Sequence, residues 1–164
     1  MAVPFRPATT LLPSRASSPG RTVRKIALLG SHAASLRWCP WSDPSWELWA
    51  INDVFASGHI PRAEATFELH QHNELVKQGR RGQQYFDWLA KGVHPVYMAD
   101  PQPGWPTASR FPFEKIRELF PRDYWTNSVA FVMALALIEL TDVVAMPDGR
   151  TFRIAKPGAE LGLW

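Results

Sequence analysis

"KIALLGSHAASLRW" (residues 25–38) is a short apolar run that meets a glycine and then a string of small side chains. Ile26, Ala27, Leu28 and Leu29 follow one another with no polar alternation, as in a strand buried on both faces, and such strands belong to parallel sheets covered by helices. Gly30, Ser31, Ala33, Ala34 and Ser35 then leave the backbone bare at the strand's carboxyl end. Two readings compete for that bareness. One is a tight strand–helix turn capped by Ser31; the other is a loop whose backbone N–H groups approach a phosphate at a helix start. The loop has one glycine and lacks the lysine of GxxxxGK[ST], so it is neither a dinucleotide fingerprint nor a Walker loop.

Working outward, the same grammar repeats. Further apolar runs stand at "SWELWAIN" (45–52), "ATFELH" (65–70), "VHPVYMAD" (93–100) and "TDVVAM" (141–146), with Pro95 marking an edge position or the start of a strand. Helical patterns lie between them: a first turn near 31–38, then "GQQYFDWLAKG" (82–92), "FEKIRELF" (113–120) and "NSVAFVMALALIEL" (127–140). The last is apolar nearly all round and is expected to be buried against the sheet. Strands alternating with helices predict a Rossmann-like α/β fold: an open, mostly parallel five-stranded sheet with helices on both faces, over residues 25–164.

Residues 1–24 read differently, as a disordered basic arm rich in Pro, Ser and Arg. Arg6, Arg15, Arg21, Arg24 and Lys25 are the five basic residues of the first 25, with no acid among them. The other thirteen basic residues therefore face all fifteen acidic ones, and the body is net −2 although the whole chain is +3. An acidic partner or nucleic acid, if bound at all, is expected to meet the arm and not the folded body. The chain has no apolar run of membrane-spanning length, so no membrane partner is expected. Its single cysteine, Cys39, excludes an internal disulfide and points to a reducing, cytoplasmic setting. Eight tryptophans, four of them within 38–49, serve either core packing or base stacking, and their spacing does not separate the two.

In open α/β sheets ligands sit beyond the carboxyl ends of the strands. The residues there are Gly30, Ser31 and Ser35, then Asn52 and Asp53, then His70, then Asp100, with Thr126, Asn127 and Ser128 opening the apolar helix. We assign His70 and Asp100 to acid/base chemistry and the others to a nucleotide. Asn127 or Thr126 could equally be a helix cap. Glu68, His70 and His72 alternate along one segment, but no fourth ligand has recognisable spacing and no metal is expected. Cys39 with His32 has no orienting carboxylate nearby and makes a poor nucleophile pair.

Two motifs add a resemblance. "IALLGSHAASL" followed by "WAIND", and "WTNSVAFVMALALIELTDVVAM", resemble the family 42 sialyltransferases and their Maf-type relatives; the body also resembles small uncharacterised Rossmann-like phage and prophage proteins with a "DPSWE-W-x-x-N" stretch and a "FELH" strand end. The resemblance implies a nucleotide or nucleotide sugar as ligand, with no further cofactor. Gly30 and Ser35 would hold phosphates, Asn52 would touch the nucleotide, and Thr126 and Ser128 would lie near the base or ribose. The family's G-P is replaced by "HAA" and its TSG by "TNS", so binding is better supported than sugar transfer; the lack of Asp-x-Asp speaks against a metal-bound donor. A second similarity, of "TDVVAMPDGRTFRIAKPGAELGLW" to nucleoside deoxyribosyltransferases, implies Glu160 on a helix as nucleophile, with Asp142 and Asp148 near the sugar. A third expectation is a non-catalytic virion or partner-binding protein that docks through its arm.

Overall fold

The computed structural model describes residues 24–77, 81–121, 125, 127–146 and 150–164. The basic arm, up to residue 23, lies outside the described residues, as do Thr126 and Asp148. The chain forms β1 (Lys25–Leu29), α1 (Ala33–Leu36), β2 (Trp46–Ile51), β3 (Ala65–Glu68), α2 (His72–Lys77), α3 (Gln83–Lys91) and β4 (Val96–Met98). It continues with β5 (Ala108–Arg110), α4 (Phe113–Leu119), α5 (Ser128–Leu140), β6 (Thr141–Ala145), β7 (Thr151–Ala155) and β8 (Glu160–Leu163). Six strands make one sheet in the order β5-β4-β3-β2-β1-β8. Every neighbouring pair in it is parallel.

That order explains the unbroken apolar run of β1. The strand lies between β2 and β8, and its side chains point alternately into two cores. Ile26 and Leu28 join Trp49, Phe67, Phe111, Ile116 and the apolar side of α5. Ala27 and Leu29 join Leu36, Cys39, Leu48 and Ala50 on the opposite face. Further along that second face, Leu75, Tyr85 and Leu89 pack over Val96 and Met98. From β1 to β5 the chain steps in one direction, so right-handed crossovers put α1, α2 and α3 on one face; the return to β8 puts α4 and α5 on the other. The strand order reverses between β1 and β8, at Gly30.

The main sheet, with six strands and not the expected five, differs from expectation in two places, and α2 and β7 are further elements that the sequence patterns do not announce. "TDVVAM" is not a strand of the main sheet: β6 pairs antiparallel with β7, Thr141 opposite Ala155 and Ala145 opposite Thr151. The physical reason is continuity. β6 starts at the residue after α5 ends, with no linker that could carry it into the sheet beside β1. The hairpin instead brings the chain back to its own base, where the Lys156 N–H donates to the Leu140 carbonyl at 2.9 Å. β8, two elements later, takes the place beside β1, with Lys25 opposite Glu160. Glu160 therefore starts a strand, not the helix implied by the deoxyribosyltransferase similarity.

The second difference is β5, a three-residue strand that closes the sheet beyond β4. Pro95 consequently precedes an interior strand, and its carbonyl accepts from the Thr66 N–H at 3.0 Å. Helices α3, α4 and α5 stand where periodicity placed them. Among the described residues no helix is long and apolar enough to cross a membrane.

Candidate functional site at the carboxyl edge

The polar residues gather above β2 and β3. After β2 the chain must turn sharply, and Asn52 does so in the left-handed region with φ 61°; asparagine is among the few residues that tolerate this. Its N–H still donates to the Phe67 carbonyl at 2.8 Å, and its Oδ1 is buried with no hydrogen-bond partner among the described residues. Glu68, the last residue of β3, has no exposed surface at all. A carboxylate so placed needs strong partners. It has two: His70 Nδ1 lies 2.5 Å from Oε1, while Arg81 donates to Oε2 through Nε at 2.9 Å. A second Arg81 nitrogen also reaches Oε2 at 2.9 Å, and its third faces Asp53 at 3.5 Å.

Strand alternation sets this up. Phe67 points into the core under α5, so Glu68 points to the opposite face, toward α2 and α3. There Arg81 lies over the Tyr85 ring at 5.6 Å. Burial, reinforced by the negative Glu68, pushes the Tyr85 hydroxyl well above the usual phenol range and keeps it protonated. For His70, a carboxylate at Nδ1 fixes the ring orientation and makes Nε2 the nitrogen suited to proton exchange. Asp100 follows β4 by two residues, as His70 follows β3; since Glu68 pairs with Met98, the two stand at neighbouring strand ends.

On the other face of the same edge lies a cleft of about 300 Å³ lined by Leu69, Gln71, Ala99, Arg110, Phe113, Glu114 and Arg117. The start of α5 is close by. Glu139, near its far end, pairs with Arg24 at the amino edge of the sheet; the helix therefore begins toward the carboxyl edge. Asn127 caps it, its Oδ1 accepting from the Ala130 N–H at 2.9 Å, and Ser128 is its first residue.

The Gly30 N–H donates to the main-chain oxygen of Trp164 at 2.7 Å; this donor is thus used in the β1–β8 ladder. Ser31 is exposed, and the Ser35 hydroxyl donates to the His32 carbonyl at 2.9 Å. α1 is a single turn with no side-chain cap, so Ser31 does not cap it. Neighbouring strands are about 4.8 Å apart, which sets the Gly30 loop roughly 10 Å from His70 along the edge. His72 opens α2 between the rings of Phe86 and Trp105, so the Glu68–His70–His72 alternation ends there. Among the described residues no three His, Cys, Asp or Glu side chains converge as metal ligands. Cys39 is buried, and desolvation raises its thiol to about 11 despite the nearby Arg62 charge; it is not a poised thiolate.

Glu160 and Asp142 lie at the amino edge. Glu160 pairs with Lys25 at 2.5 Å and Asp142 stands 4.0 Å from Lys156. Of the residues at the carboxyl edge, sequence reasoning missed Arg81, Tyr85, Arg110 and Arg117. Nothing in "GRRGQQY" (79–85) announces that Arg81 meets a carboxylate thirteen residues earlier.

The protein is thus an open parallel α/β domain whose strand order reverses at β1 and whose polar side chains gather at the carboxyl edge. Comparison with known proteins finds no matching family model, and no significant match among curated proteins or solved structures.

Proposed function

We propose that the protein binds a nucleotide or nucleotide sugar along the carboxyl edge and acts on it as a transferase, in the reducing cytoplasm. The observation that supports this best is the buried Glu68 beside His70 at the end of β3, a carboxylate–imidazole pair of the kind that holds a general base in one orientation. In this reading Asn52, Asp53, Thr126, Asn127 and Ser128 hold the nucleoside. The small residues from Gly30 to Ser35 let the ligand approach the backbone, and His70, with Asp100 alongside, takes a proton from the acceptor. The nucleophile role for Glu160 draws no support, since that side chain is engaged by Lys25 at the opposite edge.

Thermal unfolding in millimolar CMP, UMP, NAD and nucleotide sugars tests the reading. A nucleotide that binds only the folded state raises the midpoint, and a hundredfold excess over Kd adds about 2.7 kcal/mol. His70→Gln should keep that shift and lose turnover of the stabilising donor by roughly a hundredfold or more. No stabilisation by any of these ligands would overturn the proposal.

A further inference from the structure

Asn52, Asp53 and His70 stand on one side of the edge, and the single turn of α1 offers little dipole to an anion. On that side the Arg81 charge is engaged by Glu68 and Asp53; two further cations stand on the other side, in the cleft beneath α4. Arg117 is exposed there and has no ion pair among the described residues. Its guanidinium lies over the rings of Phe113 at 5.7 Å and Phe131 at 5.4 Å. That stacking restricts the planar fork without using its N–H donors. Arg110, at the end of β5, adds a second cation whose pairing with Glu114 is a long 3.4 Å across exposed side chains, a contact worth little in water. The lining carries two positive charges against one negative, within a volume that suits a small ligand fragment.

The chain path joins this cleft to the proposed reacting group. Leu69 and Gln71 both line it, and His70 stands between them in sequence at the strand end. Phe131, under Arg117, also stacks on Trp125 at 4.5 Å. It lies three residues after Ser128, on the same side of α5.

We infer that the cleft under α4 is the phosphoryl subsite, with Arg110 and Arg117 binding a phosphate or pyrophosphate group of the ligand whose other end reaches His70. This rests on the nucleotide reading and moves the anion away from the Gly30 loop. Arginine binds phosphate oxygens through paired N–H donors, and charge-assisted bonds of this kind are the strong ones.

The test is titration calorimetry of the four ribonucleoside monophosphates and their parent nucleosides against the full chain, Arg110→Gln, Arg117→Gln and the double variant. Wild type should bind one monophosphate at least about tenfold more tightly than its nucleoside. That ratio should collapse in the double variant while nucleoside affinity stays. Both side chains are exposed, so the variants should fold, and an unchanged unfolding midpoint verifies it. A preserved ratio in the double variant, with loss instead in Ser31→Ala/Ser35→Ala, overturns the subsite and leaves nucleotide binding standing. Failure of every nucleotide and nucleoside to bind wild type overturns both.

Discussion

Glu68 Oε1 lies 2.5 Å from His70 Nδ1 while Oε2 of the same buried carboxylate accepts twice from Arg81. One side chain thus orients the histidine at the strand end and anchors the segment leading into α3. An ionised group in this position is tolerated only because both oxygens are engaged; removing the charge should expose the cost.

Glu68→Gln should destabilise the protein by about 3 kcal/mol or more, because the Arg81 charge loses its buried counterion. Arg81→Gln should cost a similar amount. The double variant should lose clearly less than the sum of the two. Urea unfolding of the four proteins measures the coupling, and strict additivity would show that the contact carries no energy.

Asn127 has two candidate roles that substitution separates. Asn127→Ala removes the cap on the Ala130 N–H and should cost about 1 kcal/mol, whereas Asn127→Ser keeps a capping oxygen and should restore most of it. If Asn127 also touches the nucleoside, Asn127→Ser should regain stability yet still lose the nucleotide-induced thermal shift. Full recovery of both would leave the residue a cap alone.

Alkaline pH should weaken the fold through Cys39. Burial raises its thiol from 9.0 to about 11 in the folded state, so the native protein holds a proton that the unfolded chain releases earlier. The contribution of Cys39 is fully present below about pH 9 and is lost as pH rises to about 11, for a total of roughly 2–3 kcal/mol. Urea unfolding of wild type and Cys39→Ala between pH 7 and 11 isolates it: their stability difference should shift over that window. A constant difference would refute the claim.

Gly92 ends α3 with φ 59°, and a Cβ there would stand 2.3 Å from Pro106 Cγ. Gly92→Ala should therefore cost about 2–4 kcal/mol, from the left-handed backbone and from crowding the Pro106 ring next to the buried Trp105. Gly92→Asn relieves the first cost but not the second, so it should also be destabilising. A midpoint unchanged in Gly92→Asn would locate the effect in the backbone alone.

Much of the fold was legible because the relevant signals are local. Ile26 to Leu29 announce a strand buried on both faces. Tyr85 and Leu89, four apart, announce the buried side of α3, and the stretch from Val129 to Leu140 could only be an interior helix. Where reading by runs failed, the local signal pointed the wrong way. "TDVVAM" is the stronger strand by composition, yet half of it faces solvent, with Val144 38% exposed. "ELGL" carries a glycine in a four-residue strand, and that glycine is required: a Cβ on Gly162 would stand 1.9 Å from the Trp164 indole.

The candidate site divides in the same manner. His70, Asn52, Asp53 and Asp100 were readable because residues just past apolar runs must lie at the carboxyl edge of a parallel sheet. Arg81, Arg110 and Arg117 were not, because a basic residue in a polar stretch looks the same whether it faces solvent, a buried carboxylate or an aromatic ring.

By itself the sequence determined an open parallel α/β domain and the edge at which its polar residues collect, since periodicity and turn residues depend on neighbours a few positions apart. Only the tertiary structure decided that β8 takes the place beside β1 and that Glu68 binds His70 and Arg81 together. It also decided that two arginines share a cleft with Leu69 and Gln71. Those are relations between residues distant in the chain, set by strand order and burial, and no local pattern encodes them.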